Sequence, residues 1–558
     1  MGTKYLQLIE KTLSAYTEEH IVEYFDRVKR EGLTEHGFPR LTSNIGILIA
    51  NGKLKNMYDL FCEMMEFCCK TIPHVKAAND FSIREVVCCM MELEKNNAVD
   101  PANLARWKEY FKEIDPYTCY DVIAKTPTDP VRNWALFTGV SEYFRNAMGL
   151  GDSTEFIDIQ IASQLQWLDE NGMYMDNGES DNHQPIVYDI CPRGLFSLLL
   201  FRGYRGKYYK QVDEYLRKSG LYTLKMQSVT GELPYGGRSN QFLLNEGWLA
   251  TVCEYEAARY KKEGDLVLAG KFKAAAKRAV ENTEYWLSKT PISHVKNCYP
   301  FRMHFGCELY AYFDKYMITA ASNYYAAHLF CDDSIETGEF DDSPSIWCTS
   351  DHFHKVFARA GGYFLEYDKD ADPHYDASGL GRVHKYGAPS TLCLSMACCG
   401  KKPRYKINGA EPVYLALCPG IQKDGEWDFS ADPKWVHTLT DQETGADYVS
   451  LTMESRLDEE TVTVNYKVDE NGVSAAVSGK GEIAYALPAF TFDGEKETEI
   501  SVEEHCLRVT YEGWVCRYTF SGKLEDSGKT AVNRNGHYRK FYVTGRDALD
   551  VKIELVKK

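Results

Sequence analysis

The sequence has no Cys-x-x-Cys pair, no apolar run long enough to span a bilayer and no excess of positive charge. The first absence removes the usual spacing of a structural zinc site. The second excludes a transmembrane helix, and Met1-Gly-Thr-Lys-Tyr-Leu-Gln-Leu8 leads into polar, helix-like sequence rather than the apolar segment of a signal peptide. The third reflects a net charge of -17, the wrong sign for a nucleic-acid partner. An anionic small substrate stays open, because a local Arg or His cluster binds one inside an acidic protein.

What is present fits a large globular protein. The 558 residues exceed one ordinary domain, so two or three are expected. There are 18 cysteines, and Cys68-Cys69, Cys88-Cys89 and Cys398-Cys399 sit in apolar runs that read as buried thiols. Reduced thiols without a signal peptide point to the cytoplasm. The chain holds 38 Tyr, 26 Phe and 9 Trp, a supply that serves both core packing and stacking on sugar rings.

The hydrophobic period changes along the chain. Helical spacing runs through 56–72, 242–260, 271–287 and 309–330; in the first, Met57, Leu60, Phe61, Met64, Met65 and Cys68 share one face. Gly-containing turns recur, as in His36-Gly-Phe-Pro-Arg40, Asn171-Gly-Met-Tyr174 and Thr230-Gly-Glu-Leu-Pro-Tyr235. Such turns fit helical hairpins arranged in a ring, and they fit any helical protein. After the acidic run 332–344 the period becomes two: Val462, Val464, Tyr466 and Val468 alternate before Asn471-Gly472, and Leu549, Val551, Ile553 and Leu555 close the chain. The expected architecture is an (α/α) toroid over residues 1–345, followed by an antiparallel β-sandwich over 346–558.

Two stretches concentrate chemistry. In Leu233-Pro-Tyr-Gly-Gly-Arg-Ser-Asn-Gln-Phe-Leu-Leu-Asn-Glu246, paired glycines let backbone approach a ligand, and Arg238 suits a carboxylate. Asn240, Gln241 and Asn245 suit sugar hydroxyls, and Tyr235 and Glu246 are candidates for proton transfer. The competing reading of Asn240 and Glu246 is helix capping. In Arg302-Met-His-Phe-Gly-Cys-Glu308, His304 and Glu308 are further proton-transfer candidates and Arg302 a second clamp, ahead of Tyr310, Tyr312 and Tyr316. Glu308 is expected to precede or open a helix. A buried His–Glu hydrogen bond would explain the same residues.

Rim candidates are the 176–185 loop with His183, the following Tyr188-Asp189, and Arg132-Asn-Trp134, whose Trp134 either stacks on a pyranose or packs in a core. In the second half, Arg382 and His384 of Gly379-Leu-Gly-Arg-Val-His-Lys385 form a basic knot suited to an anion. Asp351-His-Phe-His354 lacks a third ligand, so no metal is expected, and none of these roles calls for a cofactor.

The Pro234-to-Phe242 loop and the Gly379-to-Lys385 segment, with a helical ring ahead of a sandwich, resemble the glucuronidases of glycoside hydrolase family 154. Those enzymes are similar in architecture to heparinase II/III-type lyases. The resemblance implies that the loops around 235–246 and 302–308 line the active cleft and that Arg382 to His384 close it from the sandwich side. It also points to hydrolysis that releases terminal β-linked glucuronic acid from acidic oligosaccharides, and the expected cytoplasmic location suits exo action on short, already imported chains. The alternative carried by the same residue types is β-elimination of a uronate by a Tyr or His base, and a non-catalytic sugar-binding protein is a third reading. A homo-oligomer is compatible with the sequence.

Overall fold

The computed structural model describes residues 1–176, 183–407 and 411–558. Among these, fourteen α-helices precede residue 331 and fifteen β-strands follow residue 344. No helix of the described residues is long and apolar enough to cross a membrane.

Six helices form a closed inner ring: Gly37–Ala50, Asn79–Lys95, Trp134–Ala147, Val187–Phe201, Leu243–Glu263 and Phe313–Phe330. Each packs on the next, and the last returns to the first. Outer helices such as Gly2–Leu13, Tyr58–Thr71, Thr154–Leu165, Tyr209–Met226 and Leu266–Leu287 back them. Inner helices are covered all round; every residue of Gly37–Ala50 is buried. They therefore carry no polar stripe, whereas Tyr58–Thr71 buries only Phe61, Met64, Met65, Cys68 and Cys69.

One expected boundary moves. The helix anticipated from Leu309 begins at Phe313, and Glu308 opens no helix. Its carboxylate is tied to Arg534 of the sandwich and to the Ser239 amide, which holds Glu308 to Tyr312 as loop.

The second half has two antiparallel sheets. The smaller runs Ser345–Cys348, Lys355–Ala360, Tyr363–Asp368 and Gly379–Lys385 in sequence order. Its alternation separates two cores. Val356, Ala358, Leu365 and Tyr367 face the larger sheet's core, while Phe357 and Phe364 join Met173, Ile186, Met226 and Val229 of the helical half. The larger sheet has eleven strands, with Gly472–Phe492 and His537–Lys557 paired along most of their length. Val462, Val464, Tyr466 and Val468 are buried on one side of Glu460–Asp469, as their alternation anticipates.

The two halves interlock at Tyr235. This toroid-loop residue is fully buried within the sandwich core cluster. Its ring lies against Gly381, where an added Cβ would overlap the phenol oxygen. Gly381→Ala is therefore expected to destabilise the fold by about 1–3 kcal/mol, typical of an overpacked core. Denaturant unfolding checks this, and an unchanged midpoint would show that Tyr235 does not seat there.

Candidate active site

A cavity of about 370 Å³ lies at one end of the toroid. Its wall comes from the first turns of all six inner helices or the residues just before them: His36 and Arg40, Ala78 and Phe81, Asn133 and Trp134, Val187 and Tyr188, Leu244 and Trp248, and Lys315 and Tyr316. Six positive helix ends thus converge on one space. Arg40, Arg132, Arg238 and Lys315 add cationic side chains, against the single carboxylate of Asp176 among the described lining residues.

Arg238 and Ser239 enter this wall from the loop between the helices Tyr209–Met226 and Leu243–Glu263. Gly236 (φ 141°) and Gly237 (φ 74°) turn the chain through conformations that side chains disfavour. Sandwich residues then hold the loop. Glu366 accepts from Tyr235 N at 3.0 Å, and Asp376 from Gly237 N at 2.8 Å. Ser239, itself left-handed at φ 57°, donates its N–H to Glu308 at 2.7 Å, and Arg534 pairs with that carboxylate at 2.6 Å.

Around Ser239 runs a chain of hydroxyls. Tyr188 Oη lies 2.8 Å from Ser239 Oγ, which lies 2.7 Å from Tyr310 Oη. The Arg238 guanidinium covers the Tyr188 ring at 4.7 Å and pairs with Asp176 at 2.6 Å. Asp176 also accepts from the Asn133 amide groups. Arg238 Nε is buried with no partner in the described structure.

Burial pushes the Tyr188 phenol up to about 12, although Arg238 pulls the other way. Burial raises Tyr310 and Tyr316 as well, with neighbouring phenols adding to the effect. On the opposite wall, burial lowers His36 well below its ordinary value, helped by Arg40 and Lys315, so its imidazole is neutral near pH 7. Burial also lowers Lys315. Arg40 is braced by Glu85 at 2.9 Å. Arg132 lies over the Trp134 ring at 4.8 Å.

The two polar stretches meet through Ser239, Glu308 and Tyr310, and of the proton-transfer candidates Glu246, Glu308, His304 and Tyr235 only Glu308 takes part. Of the candidates, Arg238 and Trp134 line the cavity. Glu246 does not: it is fully buried, pairing with Lys296 at 2.7 Å. Glu308 sits behind Ser239 as a brace. Tyr235, Arg382 and His384 are buried at the junction with the sandwich, where Arg382 pairs with Glu366 at 3.0 Å and His384 Nδ1 meets Ser228 Oγ at 2.7 Å. Asn240 and Asn245 donate to backbone oxygens of Pro234 and Ser239, and Gln241 is buried at φ 60°. Arg302 is exposed and His304 stacks near Tyr312, both off the cavity wall. His183 faces the sandwich, 3.4 Å from Asp370. Residues 177–182 of the expected rim loop lie outside the described residues. Sequence reading gave no role to Lys315, Phe81 or Ser239; their shared signal is a place at a helix start or the turn before one.

Asp376 connects this loop to pH. Burial raises its carboxyl to about 7, against partial relief from Lys355 and the Gly237 amide. The folded form therefore keeps a proton that the unfolded chain has released above about pH 4, and this contribution to stability is lost as pH rises through about 7. Asp376→Asn retains an acceptor for Gly237 without the charge. Its melting temperature is expected to gain on wild type between about pH 5 and pH 8; parallel curves would show that Asp376 does not titrate there.

No protein-family model matches the chain, and no curated protein matches it by sequence. Solved structures do align with it. A Paenibacillus xanthan lyase aligns over 92% of this chain and 53% of its own length, at 8% identity and a TM-score of 0.50. A Streptomyces coelicolor chondroitin AC lyase aligns over 98% and 82%, at 10% identity and 0.47. A heparan sulfate lyase from Pedobacter heparinus aligns over 93% and 73%, at 8% identity and 0.43. The likeness to the xanthan lyase is one of fold: a helical toroid followed by antiparallel β-sheets.

Proposed function

We propose that this chain is a lyase that cleaves uronate-containing oligosaccharides or polysaccharides by β-elimination in the toroid cavity. The observation that carries the reading is the concentration of positive potential. Six helix N-termini and four cationic side chains surround one space in a protein of net charge -17. A sugar carboxylate is the group such a space selects.

The lining supplies the remaining parts. Trp134 offers a ring face for a pyranose, and Arg238 Nε and Lys315 can neutralise the uronate carboxylate, which acidifies the C5 proton. Tyr188 is the proton-transfer group. As phenolate, after a proton has been relayed from Tyr188 through the Ser239 hydroxyl and the exposed Tyr310 to solvent, it takes the C5 proton. The released electron pair forms the C4–C5 double bond as the C4–O bond breaks, and the phenol returns its proton to the leaving oxygen.

Hydrolysis of a terminal β-glucuronide, implied by the family 154 resemblance, asks for two carboxyl groups flanking the bond. Among the described residues the cavity has only Asp176, already engaged by Arg238 and Asn133. The xanthan lyase of the same fold is by name a lyase, in keeping with the reading.

Incubation with a panel of uronate oligosaccharides, followed by ultraviolet absorbance and a reducing-end assay, tests it. The expected outcome is both signals together, from the conjugated product and the new reducing end. Reducing ends without absorbance would establish hydrolysis instead. Tyr188→Phe is expected to lower turnover by about 10²–10⁴-fold without changing the melting temperature. The wild-type rate should climb with pH from neutral into the alkaline range, as the phenolate fraction rises below a pKa near 12.

A further inference from the structure

A second cleft opens at the seam between the helix Leu266–Leu287 and the β-domain. It encloses about 320 Å³ between Asn282, Arg278 and Tyr285 on the helix, Tyr386 and Ser390 in the loop after the strand Gly379–Lys385, and Trp514 at the start of the strand Trp514–Phe520. Volume and position at a domain junction are those of a small-ligand site.

Three features point to what it holds. Asn282 is only 6% exposed. Its Nδ2 donates to Glu232 at 3.2 Å, which sets the amide's orientation and leaves Oδ1 a buried acceptor with no partner in the described structure. Two large aromatic rings, Trp514 and the half-exposed Tyr386, supply apolar faces, and Arg278 lies over Tyr386 at 3.5 Å. The charges are nearly balanced. Glu512 is engaged by Lys289 and by the Tyr285 hydroxyl, and Arg278 stands near Glu281. That balance contrasts with the cationic toroid cavity.

We propose that this cleft is a second, non-catalytic saccharide site that takes a neutral pyranose unit. The ring stacks on Trp514 and Tyr386, one hydroxyl donates to Asn282 Oδ1, and others meet Arg278 and Glu281. The cleft would anchor the uncharged part of a glycan away from the cationic cavity. The proposal does not require the elimination reading, since its evidence lies in other residues.

The test is binding of cellotriose, maltotriose, xylotriose, mannotriose and N-acetyllactosamine to the full chain, by saturation-transfer NMR and calorimetry. At least one should bind, and Tyr386→Ala should weaken it about tenfold while leaving turnover of uronate substrates unchanged. Trp514→Ala should do the same; because Trp514 also packs on the sandwich core, Tyr386→Ala is the decisive variant. No binding by any of the five, or binding indifferent to Tyr386→Ala, overturns the proposal. Neutral-sugar binding lost in the variant would stand even if no uronate substrate were cleaved.

Discussion

The structure depends on a buried lattice of alternating charges between the toroid and the sandwich. Lys296 bridges Glu246 at 2.7 Å and Glu232 at 3.6 Å; Arg382 joins Glu232 at 3.4 Å to Glu366 at 3.0 Å; Lys355 joins Glu366 at 3.2 Å to Asp368 at 2.8 Å. Burial alone would raise the Glu232 carboxyl, yet Lys296, His384 and Arg382 hold it down near 2. Each ion is taken out of water at considerable cost, and only the full set of partners offsets it. Such a lattice tolerates little displacement. It therefore sets the position of the loop that carries Arg238 and Ser239, and the shape of the cavity in the helical half is fixed in part by residues of the other half.

This lattice also explains what the sequence concealed. Density of polar and ionisable residues marked the 233–246 and 302–308 stretches; the first is buried almost throughout, and the second only from Phe305 to Glu308. A buried junction and a substrate cavity recruit the same residue types, however, and a linear pattern carries no information on depth. Glu246 and Tyr235 thus looked like proton-transfer groups although they are sealed between the halves. Tyr188 and Tyr316 face the cavity from inner helices that show no amphipathic stripe. Helical spacing was legible in outer helices such as Tyr58–Thr71 and in the inner Leu243–Glu263 and Phe313–Phe330 alike, but only where one face meets water, as in the outer helices and alternating strands, does the pattern also say which side is buried. His36 and Arg40 were visible only as part of a Gly-containing turn, whose significance depends on ring closure.

The distribution of charge has a kinetic side. An acidic exterior repels anions except where the potential reverses, so a uronate substrate of the kind proposed would be guided toward the toroid mouth. The guidance is sensitive to ionic strength, because exposed charges are screened within about 10 Å at 0.1 M salt. A near-neutral second cleft would escape that dependence.

The return of Phe313–Phe330 onto Gly37–Ala50 has a consequence for biosynthesis. The helix Gly37–Ala50 has no final neighbour until Phe313, 263 residues after Ala50, has left the ribosome. Until then an apolar inner surface stays open, and contacts of such sequence separation form late. Nascent chains halted before residue 313 are thus natural clients of chaperones, and a truncated toroid is a poor candidate for an independently folding fragment.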